Sequence, residues 1–197
     1  MNRPRKQASQ ARSRATQDAI LEAAARILED QGRDFLTTNR VAVKAGVSIG
    51  SLYQYFPNKD AILATIMRNK RTELLDLMRE ALERADGMAP EAAVDAMIRA
   101  GMVHQFARPR LALELEYVEP QLGLSEETAA LSEEMAGMVL NIARRINPTA
   151  DVETARDIVA ICKGIINAAA LAHEPGGDML YRRCRRAVLG YLREPAD

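Results

Sequence analysis

Residues 38–63 read T-N-R-V-A-V-K-A-G-V-S-I-G-S-L-Y-Q-Y-F-P-N-K-D-A-I-L, and the punctuation of this stretch decides the fold. Thr37 or Thr38 offers a hydroxyl N-cap to a short helix carrying Val41, Ala42 and Ala45, and Gly46 supplies a left-handed stop. Ser48 can cap a third helix through Gly50, Ser51, Leu52, Tyr53, Gln54, Tyr55 and Phe56, which Pro57 interrupts. Asn58 caps a fourth, running from Lys59 to about Ala85, whose Ile62, Ile66, Leu74, Leu77, Met78 and Ala81 form one apolar face. Two short helices joined by Gly46-Val47-Ser48 have the shape of a helix-turn-helix. In that motif the first of the pair braces the DNA backbone and the second enters the major groove.

Such a motif needs a tight inner face and a readable outer one. Ala42 and Ala45 let the two helices approach, and Val41, Val47, Leu52 and Phe56 point inward with Ile20, Ala24 and Ile27 of a preceding helix. That first helix is expected over Ser13–Glu29, ending near Gly32. Leu52 and Phe56 share the inner face at i and i+4, so Tyr53 and Tyr55, two residues apart, cannot both be buried beside them. The outward candidates for DNA contact are Thr38, Asn39, Ser48, Ile49, Gly50, Ser51, Tyr53, Gln54, Tyr55 and Lys59. Hydroxyls and the lysine amine suit phosphate oxygens, as does the N-terminus of the fourth helix. Gln54 suits bidentate pairing with adenine, Ile49 a thymine methyl, and Ser51 or Asn39 a base edge. Gly50 has no side chain to hold the helix away from the duplex. The competing use of the tyrosines is packing near a helix end, and of Lys59 a plain surface charge.

Together with I-L-E-A-A-A at 20–25 and G-x-x-x-x-T-T at 32–38, this stretch resembles the N-terminal signature of TetR-type transcriptional repressors. The resemblance covers roughly residues 13–65. It implies an all-α chain with an N-terminal three-helix helix-turn-helix domain and a larger C-terminal helical domain for ligand binding and dimerisation. It also implies operator contacts at Thr38, Ser51, Tyr53, Tyr55 and Lys59. Tyr55 stands where many members carry His, and both side chains can donate a hydrogen bond to phosphate. The partners implied are palindromic double-stranded operator DNA, a second copy of the chain, and an unidentified small-molecule effector whose binding releases the DNA.

Net charge is zero, yet the placement of charge is uneven. Residues 1–71 carry 13 Lys/Arg against 6 Asp/Glu, whereas residues 72–197 carry 14 against 21. A basic first third suits a phosphate partner. Arg3, Arg5, Lys6, Arg12 and Arg14 meet no acid within residues 1–14, which reads either as a flexible arm that touches phosphate or as a solubilising tail. The expected division is a basic arm over 1–12, a DNA-binding domain over 13–58, and an effector-binding and dimerisation domain over 59–197 with the fourth helix as connector. No run approaches the roughly 18 apolar residues of a membrane span, and the basic, polar start is unlike a signal peptide, so a cytoplasmic location is expected. Cys162 and Cys184 are too few and too far apart for a disulfide framework or a zinc site, and read as reduced packing residues.

Beyond Asp86-Gly87 the spacing predicts helices near 90–106, 109–120, 125–147, 151–173 and 178–193, and no segment alternates as a strand would. The 151–173 helix is apolar on nearly all sides, so it must touch something besides its own core. Ile158, Ile161, Cys162, Ile165, Ala169, Val188 and Tyr191 are the expected dimer contacts; a buried central helix in a monomer is the alternative. Candidates for an effector pocket mix adaptable apolar side chains with a few polar groups: Met97, Met102, His104, Phe106, Leu113, Tyr117, Leu131, Met135, Met138, Asn167 and His173. For any one of them ordinary core is the stronger reading. Glu114, Glu116 and Glu119 could meet a cationic effector or form a solvated face.

No Gly-rich phosphate loop, G-x-S-x-G, H-E-x-x-H or Cys/His pairing of recognisable spacing occurs, so neither catalysis nor a cofactor or metal is expected. The remaining rival is a helical ligand-binding protein without DNA binding. Against it stand the basic start and the hydroxyl-lined third helix. The expected mechanism is a population shift: an effector favouring a tilted fourth helix would draw two recognition helices away from the ~34–36 Å spacing of one duplex turn.

Overall fold

The computed structural model describes residues 5–194, with side chains from Gln10 onward. Its helices are α1 (Arg5–Gln31), α2 (Thr38–Ala45), α3 (Ile49–Tyr55), α4 (Lys59–Arg84), α5 (Pro90–Ala107), α6 (Pro109–Val118), α7 (Ser125–Ile146), α8 (Val152–Leu171) and α9 (Asp178–Arg193). Short 3-10 turns lie at Arg33–Phe35 and Glu119–Gln121. The described residues contain no strand, and the all-α reading stands.

The first helix corrects the expected arm. Residues 5–12 continue α1, because Arg, Lys, Gln and Ala are good helix formers and, once a helix is nucleated, adding such residues costs little. Arg12 and Arg14 are therefore exposed positions on a helix; Arg3 and the rest of residues 1–4 lie outside the described residues.

Two compact units divide the chain. The first runs through Asn69 and takes in Arg110–Gly123; the second comprises Lys70–Pro109 and the residues from Leu124 on. The break thus falls inside α4 rather than at 58, and α6 goes with the smaller unit. A helix-turn-helix of some 45 residues has too little apolar surface to bury by itself. Ile62, Leu63, Ile66 and Met67 of α4 and Leu111, Leu115 and Val118 of α6 are all buried, and they enlarge its core.

In the smaller unit α1 packs on α2 and α2 on α3. Ile20, Ala24, Leu28, Val41, Leu52 and Phe56 are buried as expected, while Val47 is only half-buried. The larger unit is built from α5, α7, α8 and α9 with the part of α4 from Lys70 on. Its core joins Val94, Ile98 and Met102 of α5, Val139 and Ile142 of α7, Ile158, Ile166 and Ala169 of α8, and Leu180, Cys184, Val188 and Leu192 of α9. Phe106 is fixed into this core by Gly176: a Cβ on Gly176 would lie 2.6 Å from the ring. Cys184 is fully buried, and burial, with a smaller contribution from Cys184, pushes the Cys162 thiol up to about 12, so both act as packing groups.

Burial corrects part of the expected dimer surface. Ile158, Ala169 and Val188 are buried within their own chain, at 5%, 0% and 1% exposure, and offer nothing to a partner. Ile161, Cys162 and Ile165 retain surface, and Tyr191 is exposed. The outward side of α8 is completed by Ala160, Gly164, Ala168 and Leu171, which fall at helical spacing.

Candidate nucleic-acid interface

Helices of eight and seven residues are too short to be held by their own hydrogen bonds, so α2 and α3 depend on their ends. The Thr37 hydroxyl accepts the Arg40 N–H at 3.3 Å, and Gly46 closes α2 in the left-handed conformation at φ 69°. Only glycine takes that φ readily, and it turns the chain straight into α3. There Ser48 accepts the Ser51 N–H at 3.0 Å, and Asn58 Oδ1 accepts the Ala61 N–H at 2.8 Å to open α4. Leu52, fully buried, and Phe56 fix the inward face of α3, which leaves Ile49, Gly50, Tyr53 and Gln54 exposed and Ser51 and Tyr55 half-buried.

The exposed chemistry is ordered. Thr38 Oγ1 and Tyr53 Oη lie 3.2 Å apart, tying the start of α2 to the middle of α3. One hydroxyl hydrogen is used between them, so the other stays available to a phosphate oxygen. Ser48 donates to Ser51 Oγ at 2.9 Å, so its hydroxyl hydrogen is spent inside the protein. Ser48 is thereby a cap that orients Ser51, whose own hydrogen remains free to point outward. A Cβ on Gly50 would meet nothing nearer than Ser48 Oγ at 3.9 Å, so the protein itself does not demand glycine there. Lys59 opens α4, where a cation faces the positive end of the helix dipole; an anionic partner would offset that cost. All ten residues singled out for DNA contact belong to this unit, with Asn39 and Lys59 also exposed.

The effector candidates do not form one group. Met97, Met135 and Met138 pack with Met78, Leu74 and Leu77 around Ala81 and Ala100, a methionine-rich cluster that adjoins the main core through Met97. Met102 and Phe106 join the main core instead. His104 Nε2 donates to the Lys70 carbonyl at 2.8 Å, and burial, then the Lys70 charge, lowers its pKa. Asn167 is half-buried. Tyr117 and His173 drop out: Tyr117 is 60% exposed in the smaller unit, and His173 is exposed at φ 55° just past α8. Glu114 does not face an effector either, being bonded to Arg33. Gln105, which carried no signal beyond one polar residue between His104 and Phe106, is buried at 8% exposure. Its Nε2 meets no hydrogen-bond acceptor among the described residues.

Residues 20–66 match the family described as "Bacterial regulatory proteins, tetR family". Over 129 residues, 65% of the chain, it is 30% identical to the HTH-type transcriptional regulator BetI of Rhizobium meliloti. Over 163 residues, 78% of the chain, it is 31% identical to the HTH-type transcriptional repressor DrrR1 of Streptomyces coeruleorubidus. The chain spans 59% and 52% of those two proteins' lengths. The fatty acid degradation regulator FadR from Bacillus halodurans has the same fold, with a TM-score of 0.75 at 18% identity over 91% of this chain and 97% of that one. The match thus covers the capped α2–α3 pair and the first turns of α4, and the chain belongs to the TetR family of bacterial regulatory proteins.

Proposed function

We propose that the chain is a transcriptional regulator that binds palindromic operator DNA as a homodimer, represses, and is released by a small-molecule effector. The observation that carries the DNA-binding part is the outer face of α3: a glycine the protein does not need, beside oriented hydroxyls at Thr38, Ser51 and Tyr53 and a lysine at the start of α4. Thr38, Ser51, Tyr53, Tyr55 and Lys59 contact phosphates, and Gln54, Ile49 and Asn39 read bases. Repression is supported by the name of one relative, a transcriptional repressor. The described residues include no helix long and apolar enough to cross a membrane, in keeping with action in the cytoplasm.

One helix-turn-helix reads few base pairs, so two copies are needed for a specific site. The dimer surface is the outward side of α8 with Tyr191: Ala160, Ile161, Gly164, Ile165, Ala168 and Leu171, whose small members allow close helix approach. Effector binding is supported by the methionine-rich cluster and by the buried, unpartnered Gln105 amide, which suit an apolar compound bearing a hydrogen-bond acceptor. Release follows from α4, which runs unbroken from its cap at Asn58 across the boundary between the units. An effector that prefers a tilted α4 shifts the population away from the spacing that fits one duplex.

The test uses a duplex that the full chain selects from a random library. Lys59→Ala weakens binding nearly equally for matched and mismatched duplexes and lowers the salt slope by about one unit, whereas Gln54→Ala lowers discrimination between them. Equal loss of discrimination from both variants contradicts the assignment.

A further inference from the structure

The 3-10 turn between α1 and α2 has no side-chain cap of its own. Gly32, at φ 84°, stands at the N-cap of the 3-10 turn and has no side chain to accept the turn's first N–H. Glu114 of α6 supplies the acceptor from 81 residues away: its Oε2 receives both the Arg33 backbone N–H and Arg33 Nη1, each at 3.3 Å. Tyr117, one turn further along α6, places its ring under the same guanidinium, with Cζ 4.6 Å from the ring centroid. The other carboxylate oxygen lies over Gly32, 3.6 Å from where a Cβ would stand. As an ion pair alone this would be worth little, because the Arg33 and Glu114 side chains are 45% and 25% exposed. The backbone acceptor and the ring make it a clasp on one turn.

We propose that Glu114, backed by Tyr117, is a positioning residue for DNA reading. It holds the turn that leads into the Thr37 cap of α2, and α2 is tied to α3 through Thr38 and Tyr53. The segment that holds α6 joins the unit carrying the proposed effector site at Pro109 and, past the 3-10 turn Glu119–Gln121, at Gly123, so a displacement of α6 reaches the α1–α2 turn through Glu114. The inference rests on the DNA-binding reading above, and its test has one arm that needs no DNA.

The full chain is compared as wild type, Glu114→Ala, Glu114→Gln, Arg33→Ala and the Arg33→Ala/Glu114→Ala double variant. Hydrogen exchange of the amides at 33–36 and affinity for the duplex selected by the wild type are measured. Glu114→Ala speeds exchange at 33–36 and weakens the duplex about tenfold. The double variant is no weaker than Glu114→Ala alone, since both residues act through one contact. Glu114→Gln keeps an acceptor and recovers most of both readouts; it also carries the test if the alanine variant does not fold, with exchange at 33–36 then closer to wild type than in Arg33→Ala. Unchanged exchange in Glu114→Ala, or losses that add in the double variant, overturns the proposal. If the wild type enriches no duplex, the DNA-binding reading fails, and exchange at 33–36 still decides whether Glu114 holds the turn.

Discussion

In the smaller unit α2, α3 and α4 each begin on a side chain that accepts a backbone N–H, from Thr37, Ser48 and Asn58. In the larger unit α5, α7 and α9 begin without one, and α8 has the capping box of Asp151 and Thr154. For α2 and α3, of eight and seven residues, length makes the caps necessary. Two-turn helices are unstable unless their ends are satisfied locally, at about 1 kcal/mol per cap, whereas helices of 16 to 22 residues are held by the faces they bury. A unit built on caps has its outer surface free for a rigid ligand such as DNA. One built on packing has its chemistry inside, where an apolar effector would be met.

A pair of glycine substitutions separates the two designs most sharply. Gly50→Leu adds a side chain pointing away from the protein, so the thermal midpoint holds or rises while operator affinity falls by about a hundredfold or more. Gly176→Ala does the reverse: its Cβ enters the Phe106 ring at 2.6 Å, costing about 1–3 kcal/mol of stability by thermal or denaturant unfolding, with operator affinity of the folded protein unchanged. Loss of stability in the first, or of operator affinity alone in the second, would erase the contrast.

A smaller effect is expected from pH. Burial lowers the His104 pKa, so the unfolded chain binds the proton more readily than the folded one. Stability contributed by neutral His104 is complete above the unfolded value of roughly 6.5 and is lost as pH falls from there through the folded value. His104→Gln flattens the thermal midpoint across that window; an unchanged pH profile would place the titration elsewhere.

How much could be read from the amino-acid order follows the same division. Thr37, Gly46, Ser48 and Asn58 are local signals, and the elements they bound agree with their spacing to within a residue or two. The outward set on α3 was equally legible, because Leu52 and Phe56 define the opposite face. Tertiary partnership was not. Nothing near Glu114 in the chain names Arg33 as its partner, and nothing beside Gln105 marks its amide as unpartnered. Periodicity found α8 apolar all round, but only packing could assign Ile158 and Ala169 to the core and Ile161 and Ile165 to half-exposed positions. At residues 5–12 charge and propensity point different ways: a run of like charge resembles a tail, although its residues are good helix formers and continue α1.

The most direct measurement is selection of duplexes from a random library by the full-length chain. The expected result is enrichment of an inverted repeat whose half-site centres lie about 10–10.5 base pairs, or a multiple of that, apart, as two copies of α3 in successive major grooves require. Recovery of no preferred sequence, or of a single unrepeated site bound by one copy, would contradict it.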